Sequence, residues 1–162
     1  MSAEKKKQMG VLGLIVALVA VLMGGVLFVG AVSGWFDDSK VRLSREYYGE
    51  FGDFMGLSKG EYEKLTEERK SFVIFVDQDG CTTADKLEGF VRDWASEKKV
   101  KVYRMMFSDA LTTSLHESVR YYPSVVVVRD GKPVAWLRAD ADEDADAYNE
   151  AGAFRTWISK YL

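Results

Sequence analysis

The segment Phe72 to Ala84, F-V-I-F-V-D-Q-D-G-C-T-T-A, restricts the fold of this chain more than any other. Phe72 to Val76 are apolar without a break, too few to span a membrane or to make an ordinary helix, and aromatic and β-branched side chains fill the run. That pattern predicts a strand buried on both faces. Asp77, Gln78, Asp79 and Gly80 form a polar turn, and the chain's only cysteine, Cys81, follows at once. Behind it Ala84, Leu87, Val91, Trp94 and Ala95 recur at helical spacing, to about Glu97. A lone thiol therefore sits where a central strand hands over to a helix. Gly89 inside that helix predicts a bend or a close approach.

The flanking chain supplies alternating elements. Tyr47, Tyr48, Phe51, Phe54 and Met55, interleaved with Gly49, Gly52 and Gly56, read as a first strand, a short helix or an aromatic contact surface, with core lining favoured. Ser58 with Glu61 makes a capping box that predicts a helix to about Lys70, Leu57 stapling onto Tyr62. Val100 to Phe107 read as a strand, and Ser108 as the cap of a short helix with Leu111, Leu115 and Val119 inward. Tyr121-Tyr122-Pro123-Ser124 ends it, Val125 to Val128 form another strand buried on both faces, and Asp130-Gly131 signals a hairpin into Val134–Ala139. A last helix carries Ala147, Ala151, Phe154, Ile158 and Tyr161. Helices between the first three strands and a hairpin at the end predict a three-layer α/β sandwich on a mixed sheet of four to five strands.

Ahead of this domain, Gln8 to Ser33 carry no charge. About 20 helical residues cross the hydrocarbon core, so residues 9–33 are expected to form one transmembrane helix. The run exceeds the usual length of a signal peptide's apolar region, which favours an anchor over a cleaved signal ending at Ala31-Val32-Ser33. Lys5, Lys6 and Lys7 keep residues 1–8 in the cytoplasm and send the C-terminal domain outside. Gly13, Ala17, Ala20 and Gly24 share a helix face suited to packing against another membrane helix. Residues 34–56 then form a juxtamembrane linker and a possible first strand, and residues 57–162 the folded domain.

Charge and residue types exclude several chemistries. The net charge is −3, with +2 in the first ten residues and none from 11 to 33, leaving −5 on residues 34–162. Nucleic acid, which needs a basic patch, is not an expected partner. One cysteine forbids an internal disulfide and a cysteine-pair zinc site, and a single histidine offers little to any metal. Asp140, Asp142, Glu143, Asp144 and Asp146 suggest a calcium loop, but Ala145 and Ala151 stand where its glycine and last glutamate belong, so acids favouring a helix start explain them better. His116 is expected to face solvent. No metal and no cofactor is expected.

Over residues 57–162 the sequence resembles the thioredoxin family. The strand, turn, cysteine and helix of Phe72 to Trp94 carry the likeness, with Tyr122-Pro123-Ser124 before Val125–Val128, which looks like the family's cis-proline, and Asp130-Gly131-Lys132-Pro133-Val134, which looks like its hairpin. The resemblance implies a thioredoxin-like sandwich and thiol-disulfide exchange. The family's Cys-x-x-Cys reads Cys81-Thr82-Thr83-Ala84 here, so Ala84 replaces the resolving cysteine and Gly80 the usual preceding Trp. The family's buried acid would fall near Ile74 or Phe75. Helix N–H groups favour a thiolate at Cys81, while Asp77, Asp79 and Asp85 oppose it.

Two functions follow from these features. In the first, a membrane-anchored extracytoplasmic protein forms mixed disulfides with cysteine-containing clients through Cys81, with Gly80, Thr82, Tyr122 and Pro123 holding the client. In the second, a redox-inactive module of the same fold binds a peptide or a partner membrane protein near Tyr122-Pro123.

Overall fold

The computed structural model describes residues 40–162. The expected cytoplasmic tail, the membrane segment at 9–33 and its small-residue stripe lie outside the described residues. Among the described residues no helix is long and apolar enough to cross a membrane.

Five strands form one mixed sheet: β1 (Met55–Gly56), β2 (Phe72–Asp77), β3 (Tyr103–Met106), β4 (Ser124–Arg129) and β5 (Lys132–Trp136), in the order β1-β3-β2-β4-β5. β3 runs parallel to both β1 and β2, whereas β4 is antiparallel to β2 and to β5. The predicted central strand is β2, all six of its residues buried. β4 is buried through Val128. Both faces of each are covered, which is why neither alternates in polarity.

Among the described residues six α-helices cover the sheet: α1 (Lys59–Glu67), α2 (Thr82–Lys98), α3 (Phe107–Ala110), α4 (Leu115–Ser118), α5 (Ala145–Asn149) and α6 (Ala151–Ile158). The capping box forms as the sequence requires, Ser58 accepting from the Glu61 amide and Glu61 from the Ser58 amide. α2 packs with α5 and α6, Phe90 and Trp94 lying against Phe154. Leu87, Val91, Trp94 and Ala95 are buried along its inner stripe, as the spacing demands.

Several expectations are corrected. The third strand is shorter than Val100–Phe107, because Val100 leaves the sheet to bridge Tyr48. The helix after it is two short turns; Met106, not Ser108, precedes the first, and Leu111 is exposed although Leu115 and Val119 are buried. The hairpin partner begins at Lys132 and ends at Trp136. Its turn uses Asp130 and Gly131 at φ 49° and 77°. A Cβ at Gly131 would sit 2.2 Å from the Thr66 carbonyl oxygen, so the hairpin closes against the end of α1 only with glycine. The last helix is broken at Glu150, whose extended backbone separates α5 from α6. α2 runs unbroken through Gly89 without the expected close packing, a Cβ there meeting nothing within 4 Å.

The aromatic stretch before β1 lines the core for the most part. Tyr47 is buried against Phe72 and Tyr103 on one face of the sheet. Phe54 packs on Phe75 on the other, 5.5 Å between centroids. Tyr48 is the exception and stays exposed.

Candidate functional site

The end of β2 and the start of α2 place Cys81. Gly80 turns the chain with a left-handed φ of 70°, a conformation that would strain the Trp usual before the thiol. The Cys81 amide donates to the Gln78 carbonyl at 3.2 Å, and its own carbonyl accepts from Ala84 and Asp85, which makes Cys81 the N-cap residue of α2. Its side chain makes no capping hydrogen bond, is half-buried and packs on the edge of the core. The amides of Thr82 and Thr83 have no partner among the described residues. Two N–H donors therefore point outward at the helix mouth that carries the thiol. Ala84 is buried, so the resolving position faces the core and brings no second nucleophile to the surface.

Tyr122 and Pro123 stand at the same end of the sheet. Val76, the penultimate residue of β2, pairs with Ser124, the first of β4, so the chain entering β4 lies beside the chain leaving β2 for Cys81. The Tyr122-Pro123 bond is cis. Pro123 is buried and its carbonyl accepts a 2.9 Å hydrogen bond from the Tyr148 hydroxyl. The backbone N–H and C=O of Tyr122 have no hydrogen-bond partner among the described residues. The Tyr122 ring turns inward against Phe107 and His116, and its hydroxyl donates to Val119 at 2.6 Å. Burial pushes the phenol up to about 12, the neighbouring Tyr62 hydroxyl adding to the effect. Burial raises Tyr148 as well, helped by the carboxylates of Asp144 and Asp140.

Three features escaped the sequence. Asp77, read as opposing a thiolate, is buried and ion-paired to Arg104 of β3, whose Nε donates to Asp77 Oδ2 at 3.0 Å. Arg104 also lies 3.4 Å from Glu88 of α2, Glu88 bonds Arg92, and Arg92 reaches Asp53 at 2.9 Å over the Phe54 ring. This alternating chain ties the exit of β2, the edge of β3 and the first turns of α2 together. His116, expected in solvent, is half-buried with an Nδ1 that has no partner. Asp144 is buried, accepts from the Arg138 amide at 3.0 Å and closes the loop leaving β5. A pairing of Asp77 with Arg104 joins residues 27 apart through strand register, which no local motif displays. The single arginine in the strand Y-R-M-M is its only local sign.

No protein-family model matches the sequence, and no curated protein matches it either. Solved structures do. The fold is similar to that of a mutant thioredoxin from Halobacterium salinarum, with a TM-score of 0.52 and 17% identity, covering 70% of this chain and 94% of that one. It is similar as well to a reduced Schistosoma mansoni thioredoxin pre-protein, at 0.51 and 12%, covering 68% of this chain and 100% of that one. Likeness at these identities establishes a thioredoxin-like α/β fold on a five-stranded mixed sheet, and the fold alone.

Proposed function

We propose that this thioredoxin-fold domain exchanges disulfides through Cys81 alone, forming mixed disulfides with cysteine-containing clients. The observation that carries the reading is the half-exposed thiol at the N-cap of a 17-residue helix, beside two amides without partners. The thiolate is the attacking species in such an exchange. The Cys81 thiolate attacks one sulfur of a client disulfide, the Cys81–client bond forms, and the other client sulfur leaves as a thiolate. Ala84 cannot close the cycle. A second thiol, from the client or from a small thiol in the surroundings, attacks the mixed disulfide and returns Cys81 to its starting state. With a client thiol the net result is isomerisation; with a small thiol the client leaves as a mixed disulfide with it, and a second small thiol completes the reduction, the two small thiols joining as a disulfide.

In this reading residues 9–33 anchor the domain in a membrane with the N-terminus in the cytoplasm and the domain outside, where client disulfides persist. Gly80, Thr82, Tyr122 and Pro123 frame the client around the thiol.

An aromatic disulfide such as dithionitrobenzoate tests the reaction. The native full chain is expected to release one equivalent of coloured arylthiolate and to hold the adduct until a second thiol is added. Cys81→Ser should release none. A native chain that releases nothing while the unfolded chain releases its equivalent would refute the exchange.

The partnerless amide and carbonyl of Tyr122 favour a second reading, in which an extended peptide pairs with this backbone and no sulfur chemistry occurs. A Cys81→Ser protein that retains its partners with unchanged affinity would select it.

A further inference from the structure

An apolar groove of about 200 Å³ opens on the flank formed by the first described residues, the end of α2 and the end of the chain. Val41, Leu43, Tyr48, Trp94 and Leu162 line it. Three segments build it: the Val41 amide donates to the Tyr161 carbonyl at 2.5 Å, Tyr48 bridges Val100, and Lys40 Nζ reaches the Leu162 carbonyl at 3.4 Å.

The charge around this groove is one-sided. Residues 40–162 hold 19 basic and 22 acidic side chains. Seven of those basic residues, Lys40, Arg42, Arg45, Lys98, Lys99, Lys101 and Lys160, fall in the stretches 40–45, 98–101 and 159–162, and none of the acidic ones does. Those stretches thus carry +7; extended to take in the lining residues Tyr48 and Trp94 they also hold Glu46 and Glu97, or +5, against 12 basic and 20 acidic side chains, or −8, on the other described residues. A terminal carboxylate on Leu162 would offset one of the seven and leave the sign unchanged. Glu50, Glu97 and Glu46 are ion-paired, with Lys99, with Lys98 and Arg155, and with Lys70. They offset part of the charge, and Lys40, Arg42, Arg45, Lys101 and Lys160 take part in no ion pair among the described residues.

We propose that this face docks on the headgroup layer of an anionic lipid bilayer, its apolar groove against the interface and its basic rim over lipid phosphates. The proposal rests on the anchor reading above. The uncharged run ends at Ser33, and the eight residues from there to Val41 extend at most about 28 Å, so an anchored chain keeps the groove within reach of the surface. An anionic leaflet attracts each nearby Lys or Arg, while the strongly acidic remainder of the domain is repelled, which orients the domain with this face inward. The end of the sheet that carries Cys81 is built from other segments and stays open to clients.

The full-length chain in vesicles of phosphatidylcholine, with and without phosphatidylglycerol, tests this by hydrogen exchange. Slower exchange across residues 42–48 and 98–101 is expected only with phosphatidylglycerol. High salt should abolish it, as should the exposed triple change Lys40→Glu, Lys98→Glu, Lys160→Glu. An anchored chain that exchanges alike in both lipids overturns the docking alone, as does protection that the triple variant keeps. Protection that instead rises with protein density on phosphatidylcholine assigns the face to a second copy and also overturns it. A chain stripped from both vesicle types by alkaline carbonate has no anchor, and the docking falls with that reading.

Discussion

Asp77 loses nearly all its hydration in the fold, and Arg104 replaces it. Removing one partner of a fully buried pair costs about 3–5 kcal/mol, because a naked charge is left behind. The partial exposure of Arg104 lets water reach that charge, so Arg104→Met is expected to cost less, about 2 kcal/mol by urea unfolding. Adding Asp77→Asn should return part of the loss. Tyr122 gives a second prediction. Its folded-state value of about 12 lies above the ordinary 10.0, so the neutral phenol is the form the fold prefers. Its contribution is complete below pH 10 and is lost as the pH rises from there through about 12. Tyr122→Phe should flatten that part of the alkaline unfolding curve while lowering neutral stability by about 1 kcal/mol through the lost bond to Val119. A variant whose alkaline curve superimposes on that of the parent would remove Tyr122 from the account.

At the scale of elements, α2 carries the thiol at its N-cap and its one weak point eight residues on. Gly89 is exposed, keeps ordinary helical geometry and has open space where a Cβ would lie. Gly89→Ala is therefore expected to raise stability by about 1 kcal/mol, read from the denaturation midpoint, with no change at Cys81. The sequence disclosed the elements whose signals are local. β2 and β4 announce themselves as unbroken apolar runs, α1 by its capping box and the hairpin by Asp130-Gly131. Their bounds and breaks depended on distant partners. Val100 looks like strand but is claimed by Tyr48, and the last helix breaks at Glu150 within a periodic stripe that runs through it. At the site, the strand-to-helix position of Cys81 and the turn at Pro123 were legible. The Asp77–Arg104–Glu88 chain was not, because it exists only once β2, β3 and α2 are packed.

At the scale of the described domain, two kinds of surface lie apart. One end of the sheet gathers the cysteine, the helix mouth and the Tyr122-Pro123 segment; a different flank, built from both ends of the described chain, gathers the positive charge. That division suits a tethered domain with one face toward a surface and its thiol toward clients. Its central claim is that the folded chain makes Cys81 a better nucleophile than the same residue in an unfolded chain. Iodoacetamide labelling of the native full-length protein at neutral pH, set against the chain unfolded in urea at the same pH, measures this directly. Faster labelling of the native thiol is the expected result; a native thiol that reacts no faster than the unfolded one would contradict the account.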